Sequence, residues 1–137
     1  METIKYRGWN FEEKKMVYWE TILKDYLESF FGNEYFAINP PKYVWARMQF
    51  TGLKDINGKE IYEGDIVDNK INIFKVTFET NGWDAGYDCG FCGFAIKGLY
   101  GKFNNIKDYM CSINSDDDGL EVIGNVYENP ELLKEKP

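Results

Sequence analysis

A chain of 137 residues is the size of one ordinary domain, long enough to bury a core of its own. Sixteen Lys and Arg against 23 Asp and Glu leave a net charge of −7, which argues against direct binding to a phosphate backbone, where cations must displace counterions. No apolar run approaches the ~20 residues of a membrane span, and Met1-Glu-Thr-Ile-Lys5 lacks the build of a secretory signal. With an odd number of cysteines (three), the expected setting is a reducing cytoplasm, with no membrane partner.

Aromatic residues make up 18% of the chain, a usage that suits strands and half-buried flat surfaces better than a helical bundle. A small core does not need so many rings. Some are expected at the surface or against a second copy of the chain.

Ile4-Lys-Tyr-Arg-Gly-Trp9 alternates apolar and polar side chains, the strand period. Asn10-Phe-Glu-Glu-Lys-Lys15 is a polar turn, and Met16-Val-Tyr-Trp19 returns as the second strand of a hairpin. The period then changes. Trp19, Ile22, Leu23, Tyr26, Leu27 and Phe30 recur at intervals of three and four, with Glu20, Lys24, Asp25 and Glu28 on the other side. That pattern predicts an amphipathic helix stopped at Gly32-Asn33. Asn39-Pro-Pro-Lys42 can continue neither helix nor central strand and is the expected connector.

Tyr43 to Thr51 alternates Val44, Ala46, Met48 and Phe50 against Tyr43, Trp45, Arg47 and Gln49, and reads as a strand. Thr51-Gly-Leu-Lys-Asp-Ile-Asn-Gly-Lys-Glu-Ile-Tyr-Glu-Gly-Asp-Ile-Val67 follows and organises the rest. Asn57-Gly58 is the dipeptide suited to a tight turn with positive φ at both central residues, and Glu63-Gly64-Asp65 supplies a second reversal. Ile71 to Glu79 is a strand whose phase slips at Ile73-Phe74, the mark of a bulge. Asn81 to Gly90 is a glycine-rich loop, Phe91 to Tyr100 recovers strand character, and Lys102 to Ser112 is either a short helix or an irregular edge. Leu120 to Tyr127 is the last strand, with Leu120, Val122 and Val126 on one face, and Glu128 to Leu133 reads as a helical turn or capped end.

Four groups of residues invite a chemical reading. Cys89-Gly-Phe-Cys92 has the spacing of a zinc knuckle or redox pair, with Cys111, Asp88 or Asp108 to complete a ligand set. The chain has no histidine and no second such pair, so small thiols in a glycine-rich turn are the preferred reading. Asn114-Ser-Asp116-Asp-Asp118-Gly119 imitates half a calcium loop, but Asn125 stands where the bidentate Glu is required, and an acidic turn is preferred. Glu60, Glu63 and Asp65 could act as acid and base or hold a metal, yet Glu-Gly-Asp entering a strand is ordinary turn chemistry. Trp83, Tyr87, Phe91, Phe94, Tyr100 and Phe103 crowd a glycine-broken region, where they could form a partner surface or plug one end of a barrel. Without histidine, a phosphate-cradling glycine loop or a nucleophile motif, no catalytic residue, metal site or cofactor is assigned.

The segments Ile4 to Trp9, Met48 to Val67 and Glu121-Val-Ile-Gly-Asn-Val-Tyr-Glu-Asn-Pro-Glu-Leu132 together resemble the YopX family, small proteins of bacteriophages and prophages. The positions that carry the likeness are Thr51, Gly52, Leu53, Asp55, Asn57, Gly58, Ile61, Tyr62, Gly64, Asp65, Gly124, Asn125, Asn129 and Pro130. Gly8 departs from it, standing where the family more often has a small non-glycine residue, and Ile22 to Tyr43 looks like a local elaboration. The resemblance implies a small Src-homology-3-like barrel or roll and brings no activity to transfer.

The expectation is therefore a mainly β protein: a hairpin, helix and connector over residues 1–42 and a barrel of about five strands over 43–137, packed as one unit. Its expected function is that of a phage or prophage accessory protein in the cytoplasm of a host bacterium. It would act as a non-enzymatic interaction module, self-assembled as a homo-oligomer or bound to a host or phage protein. An acidic inhibitor of a host nucleic-acid-binding protein is one alternative and predicts carboxylates gathered on one face. A metal-dependent enzyme using Glu60, Glu63 and Asp65 is another and predicts a cleft between them.

Overall fold

A computed structural model describes residues 4–31, 45–79, 93–101, 110–113 and 119–134. The chain is mainly β with one short helix, and it groups into two units, residues 1–50 and 51–137. The Pro-Pro connector and the division expected at residue 42 lie outside the described residues.

In the first unit the turn at residue 10 sets the hairpin. Asn10 Oδ1 accepts the backbone N–H groups of Glu12 at 3.0 Å and Glu13 at 2.8 Å. Lys14, held at φ 56°, donates its N–H to the Asn10 carbonyl at 2.7 Å. Strands β1 (Tyr6–Asn10) and β2 (Lys15–Val17) then pair antiparallel with Gly8 opposite Val17. The other edge of β1 takes β3 (Trp45–Lys54), with Gly8 opposite Arg47. Side chains alternate across a strand, so Tyr6, Gly8, Val17, Trp45 and Arg47 share one face. The helix lies on that face.

Helix α1 covers residues 19–31 and changes pitch midway: α-helical at Trp19–Thr21, π-helical at Ile22–Tyr26, α-helical again at Leu27–Phe31. In a regular α-helix residues four apart drift by about 40° around the axis. A π turn winds less per residue and removes part of that drift. Ile22, Tyr26 and Phe30 thus stay in one inward row, with Ile22 and Phe30 fully buried. Leu23 and Leu27, expected to face inward with them, fall instead on a second row that points away from this core.

The core of the unit is aromatic. Val17, Ile22, Phe30 and Trp45 pack together, bordered by Tyr6, Trp19 and Tyr26. Phe30 stands edge-on to Phe31 at 4.9 Å and to Trp45 at 5.3 Å between ring centroids, an edge-to-face geometry that ring quadrupoles favour. Arg47 locks the helix end from the sheet: its Nε donates to the Phe30 carbonyl at 2.6 Å, and its guanidinium lies 5.4 Å from the Phe30 ring centroid. Gly8 makes this packing possible, since a Cβ there would lie 2.7 Å from both Phe30 Cε2 and Trp45 Cε3.

The second unit holds β4 (Glu60–Tyr62), which runs beside the end of β3, and a curled, half-barrel sheet of five antiparallel strands. Its order is β8-β7-β6-β5-β9, made of β5 (Asp65–Asp68), β6 (Asn72–Glu79), β7 (Gly93–Gly101), β8 (Met110–Ser112) and β9 (Glu121–Asn125). Ile61, Val67, Phe74, Val76, Ile96 and Leu120 fill the concave side. The phase slip expected at Ile73-Phe74 is a register shift: Ile73 faces Tyr100 and Phe74 faces Gly98, which leaves Leu99 of β7 without an opposite residue. The ambiguous stretch before Ser112 ends as the edge strand β8, while residues 102–109 lie outside the described residues.

One strand is shorter than its pattern. β9 stops at Asn125, with a bulge at Ile123 created where Ile66 faces Gly124 and Val67 faces Val122. Val126, expected to share a face with Leu120 and Val122, belongs to the following turn, where its N–H donates to the Gly64 carbonyl at 2.9 Å. Pro130–Leu133 forms a closing 3-10 turn with proline at its start.

Candidate functional site

The residues of the signature segment gather in the second unit, where Thr51, Asp55 and Asp65 hydrogen-bond to backbone groups. Thr51 Oγ1 donates to the Ile61 carbonyl at 2.7 Å and accepts the Leu53 N–H at 3.1 Å, across a kink where Gly52 takes φ 88°. This pins the end of β3 to β4 and turns Leu53 toward the core. Asp55 is 7% exposed. Its Oδ1 accepts the N–H groups of Asn57 at 2.9 Å and Lys59 at 2.8 Å, and its Oδ2 that of Val122 at 2.9 Å. Burial is the largest single influence on this carboxyl and raises its pKa. The N–H groups of Val122, Lys59 and Asn57 together outweigh it, aided by the Lys59 charge, so the net shift is downward.

The turn around Asn57-Gly58 is wider than a two-residue hairpin. Gly58 N–H donates to the Asp55 carbonyl at 3.0 Å and Asp55 N–H to Lys59 at 2.8 Å. Gly58 alone takes a positive φ, 82°, where both central residues were expected to. The Asp55 side chain, by holding the Asn57 and Lys59 amides, selects this three-residue form.

The second reversal is built likewise. Asp65, almost fully buried, accepts the Tyr62 N–H at 2.8 Å. Gly64, at φ 89°, donates to the Val76 carbonyl and accepts from Val126, both at 2.9 Å, and so bridges two strands' neighbourhoods at once. At the C-terminal end Asn125 Oδ1 accepts the N–H groups of Tyr127 at 3.1 Å and Glu128 at 2.9 Å, and Asn129 Oδ1 accepts that of Asn125 at 3.2 Å. Gly124 leaves room for this arrangement, because a Cβ there would lie 2.6 Å from Asn129 Oδ1 and 2.8 Å from Leu132 Cδ1. Gly124→Ala is expected to cost about 1–3 kcal/mol, read as an earlier urea midpoint with an unchanged slope; an unmoved midpoint would show that the Asn129 turn gives way freely.

The three candidate carboxylates meet different groups. Asp65 is committed to Tyr62, Glu60 receives the Tyr62 hydroxyl at 3.4 Å, and Glu63 lies near Tyr127, whose phenol is pushed up by burial and then by the Glu63 charge. Among the described residues no group of three or more His, Cys, Asp or Glu is placed to hold a metal ion. Cys89, Cys92, Asp88, Asp108 and residues 114–118 lie outside the described residues, as do Trp83, Tyr87 and Phe91, and Cys111 belongs to β8. Phe94, of the expected aromatic surface, packs edge-on to Phe78 across β6 and β7 at 5.0 Å between centroids.

The surface that pattern reading missed is on the first unit. Leu23, Leu27 and Phe31 are 46%, 47% and 49% exposed, four residues apart along α1. They form an apolar row beside that of Ile22, Tyr26 and Phe30, and the inner side of the Phe31 ring meets Tyr6, Trp19 and Phe30. The signal was present: two complete rows at i, i+4 make an apolar arc wider than one sheet face can cover. No described helix is long and apolar enough to cross a membrane.

Fold and site together define a small mainly β protein whose most distinctive segment shapes its turns. The chain belongs to the YopX family, whose model, described as YopX protein, matches residues 5–134. Among solved structures it is similar to the crystal structure of protein EF1440 from Enterococcus faecalis, with a TM-score of 0.54 and 21% identity over 98% of this chain and 100% of that one. That likeness is one of fold. No curated protein matches the chain.

Proposed function

We propose that this is a non-enzymatic interaction module that self-associates through the outer row of α1. The observation that carries the reading is the half exposure of Leu23, Leu27 and Phe31 on an element whose neighbouring row buries Ile22 and Phe30 completely. An apolar row on a short helix is a natural isologous contact, in which the same patch meets itself across a two-fold axis. The commitment of Thr51, Asp55, Asp65, Asn125 and Asn129 to backbone groups supports the same reading, since it leaves these side chains to structure. A role as a phage or prophage accessory protein in the cytoplasm of a host bacterium is part of the same proposal, as the resemblance of the signature segments to the YopX family implies.

Light scattering coupled to size exclusion tests the self-association. The expected result is a dimer or larger species for the wild-type chain and a folded monomer for Leu23→Lys/Leu27→Lys. A wild-type chain that stays monomeric at tens of micromolar, or a double variant with unchanged mass, would overturn the reading.

A further inference from the structure

The turn at Asn57-Gly58 carries chemistry that its structural role does not use. Both residues are exposed, and glycine after asparagine leaves the side-chain amide open to attack by the next backbone nitrogen. In that reaction the Gly58 nitrogen loses its proton and bonds to Asn57 Cγ. The Cγ–Nδ2 bond breaks, ammonia leaves with the proton, and a cyclic imide remains. Water then opens the imide at either carbonyl to give aspartate or isoaspartate.

We propose that Asn57-Gly58 is a deamidation site that the folded turn protects, and that the product prevents the turn from closing again. Three contacts oppose the reaction in the folded chain. Gly58 N–H is engaged with the Asp55 carbonyl at 3.0 Å, so the attacking nitrogen is not free. Asn57 Nδ2 donates to Glu121 Oε2 at 3.0 Å, which holds the side-chain amide on β9. Asn57 N–H is bonded to Asp55 Oδ1 at 2.9 Å, which fixes the backbone between the two reacting groups. The carboxylates of Asp55 and Glu121 also disfavour the nitrogen anion on which attack depends.

Opening of the 55–59 turn removes all three contacts at once. Modification through the open form then follows the population of that form. The product carries a new carboxylate where an amide N–H₂ had donated to Glu121. Lys70, whose Nζ lies 3.3 Å from Glu121 Oε1, is the cation facing this pair, and it already serves Glu121. Two carboxylates in place of one donor and one acceptor repel, so the modified turn does not re-form its contact with β9.

The test is peptide mapping by mass spectrometry after incubation at mildly alkaline pH, folded and in urea. In urea Asn57 and Asn81, the two Asn-Gly sites of the sequence, are expected to react at similar rates. In the folded protein the Asn57 rate is expected to fall at least about tenfold below its rate in urea. Glu121→Ala, shown to be folded by circular dichroism, is expected to restore several-fold of the lost rate. Equal rates in the folded and unfolded chain, or no change in Glu121→Ala, would overturn the protection. Asn57→Asp stands in for one product and is expected to lower the thermal midpoint; an unchanged midpoint would overturn the claim that the product bars closure.

Discussion

Phe30→Ala is expected to lose about 3–5 kcal/mol, the largest single loss from the first unit. The ring is fully buried and meets Tyr6, Trp19, Phe31 and Trp45, while its own carbonyl is held by Arg47. Gly8→Ala is expected to cost about 1–3 kcal/mol for the opposite reason, because its Cβ must enter a gap already closed by Phe30 and Trp45. Combined, the two changes should cost less than their sum, since the alanine methyl at position 8 occupies part of the volume that Phe30 vacates. Urea unfolding of the four chains measures this as a coupling of at least about 0.5 kcal/mol. Strict additivity would mean that Gly8 and Phe30 do not compete for the same space.

Asp55→Ala is expected to destabilise the second unit by about 2–4 kcal/mol, because the partly buried N–H groups of Asn57, Lys59 and Val122 lose their common acceptor. Asp55→Asn should cost less, since the amide oxygen can still accept two of them while its nitrogen faces the third. The carboxyl's pKa is lowered in the folded chain, so its contribution is full above the unfolded value of about 3.9 and fades as pH falls through the lower folded value. Urea midpoints measured from neutral to acid pH should therefore fall more steeply in the wild-type chain than in Asp55→Asn below about pH 4. Parallel profiles would show that Asp55 is not a source of the acid sensitivity.

What could be read in advance was whatever depended on neighbours in sequence. Asn10 at the first turn, the alternation of β1 and β3 and the bulge beside Ile73 each follow from side chains within a few residues of one another. The mainly β class and the family follow from the same local signals. The excess width of the apolar arc of α1 was legible, but which of its two rows turns outward was not, because periodicity does not give the place where a π turn resets its phase. Nor was the form of the Asn57-Gly58 turn, which is decided by an Asp55 carboxylate that also reaches Val122, a residue distant in sequence. The departure at Gly8 and the elaboration that includes Phe30 look unrelated as sequence. In space one makes room for the other.

The strand-to-tail bonds of the second unit also order events during synthesis. Ile56 N–H meets the Leu120 carbonyl, Val122 N–H meets Asp55 and Val126 N–H meets the Gly64 carbonyl, so each closure joins groups separated by most of the unit's length. Such non-local pairing is slow, because the loop must be ordered before the contact rewards it. The first unit, whose hairpin and helix are local, can assemble as soon as β3 has emerged. The second cannot fasten its signature turns until β9 is available to them.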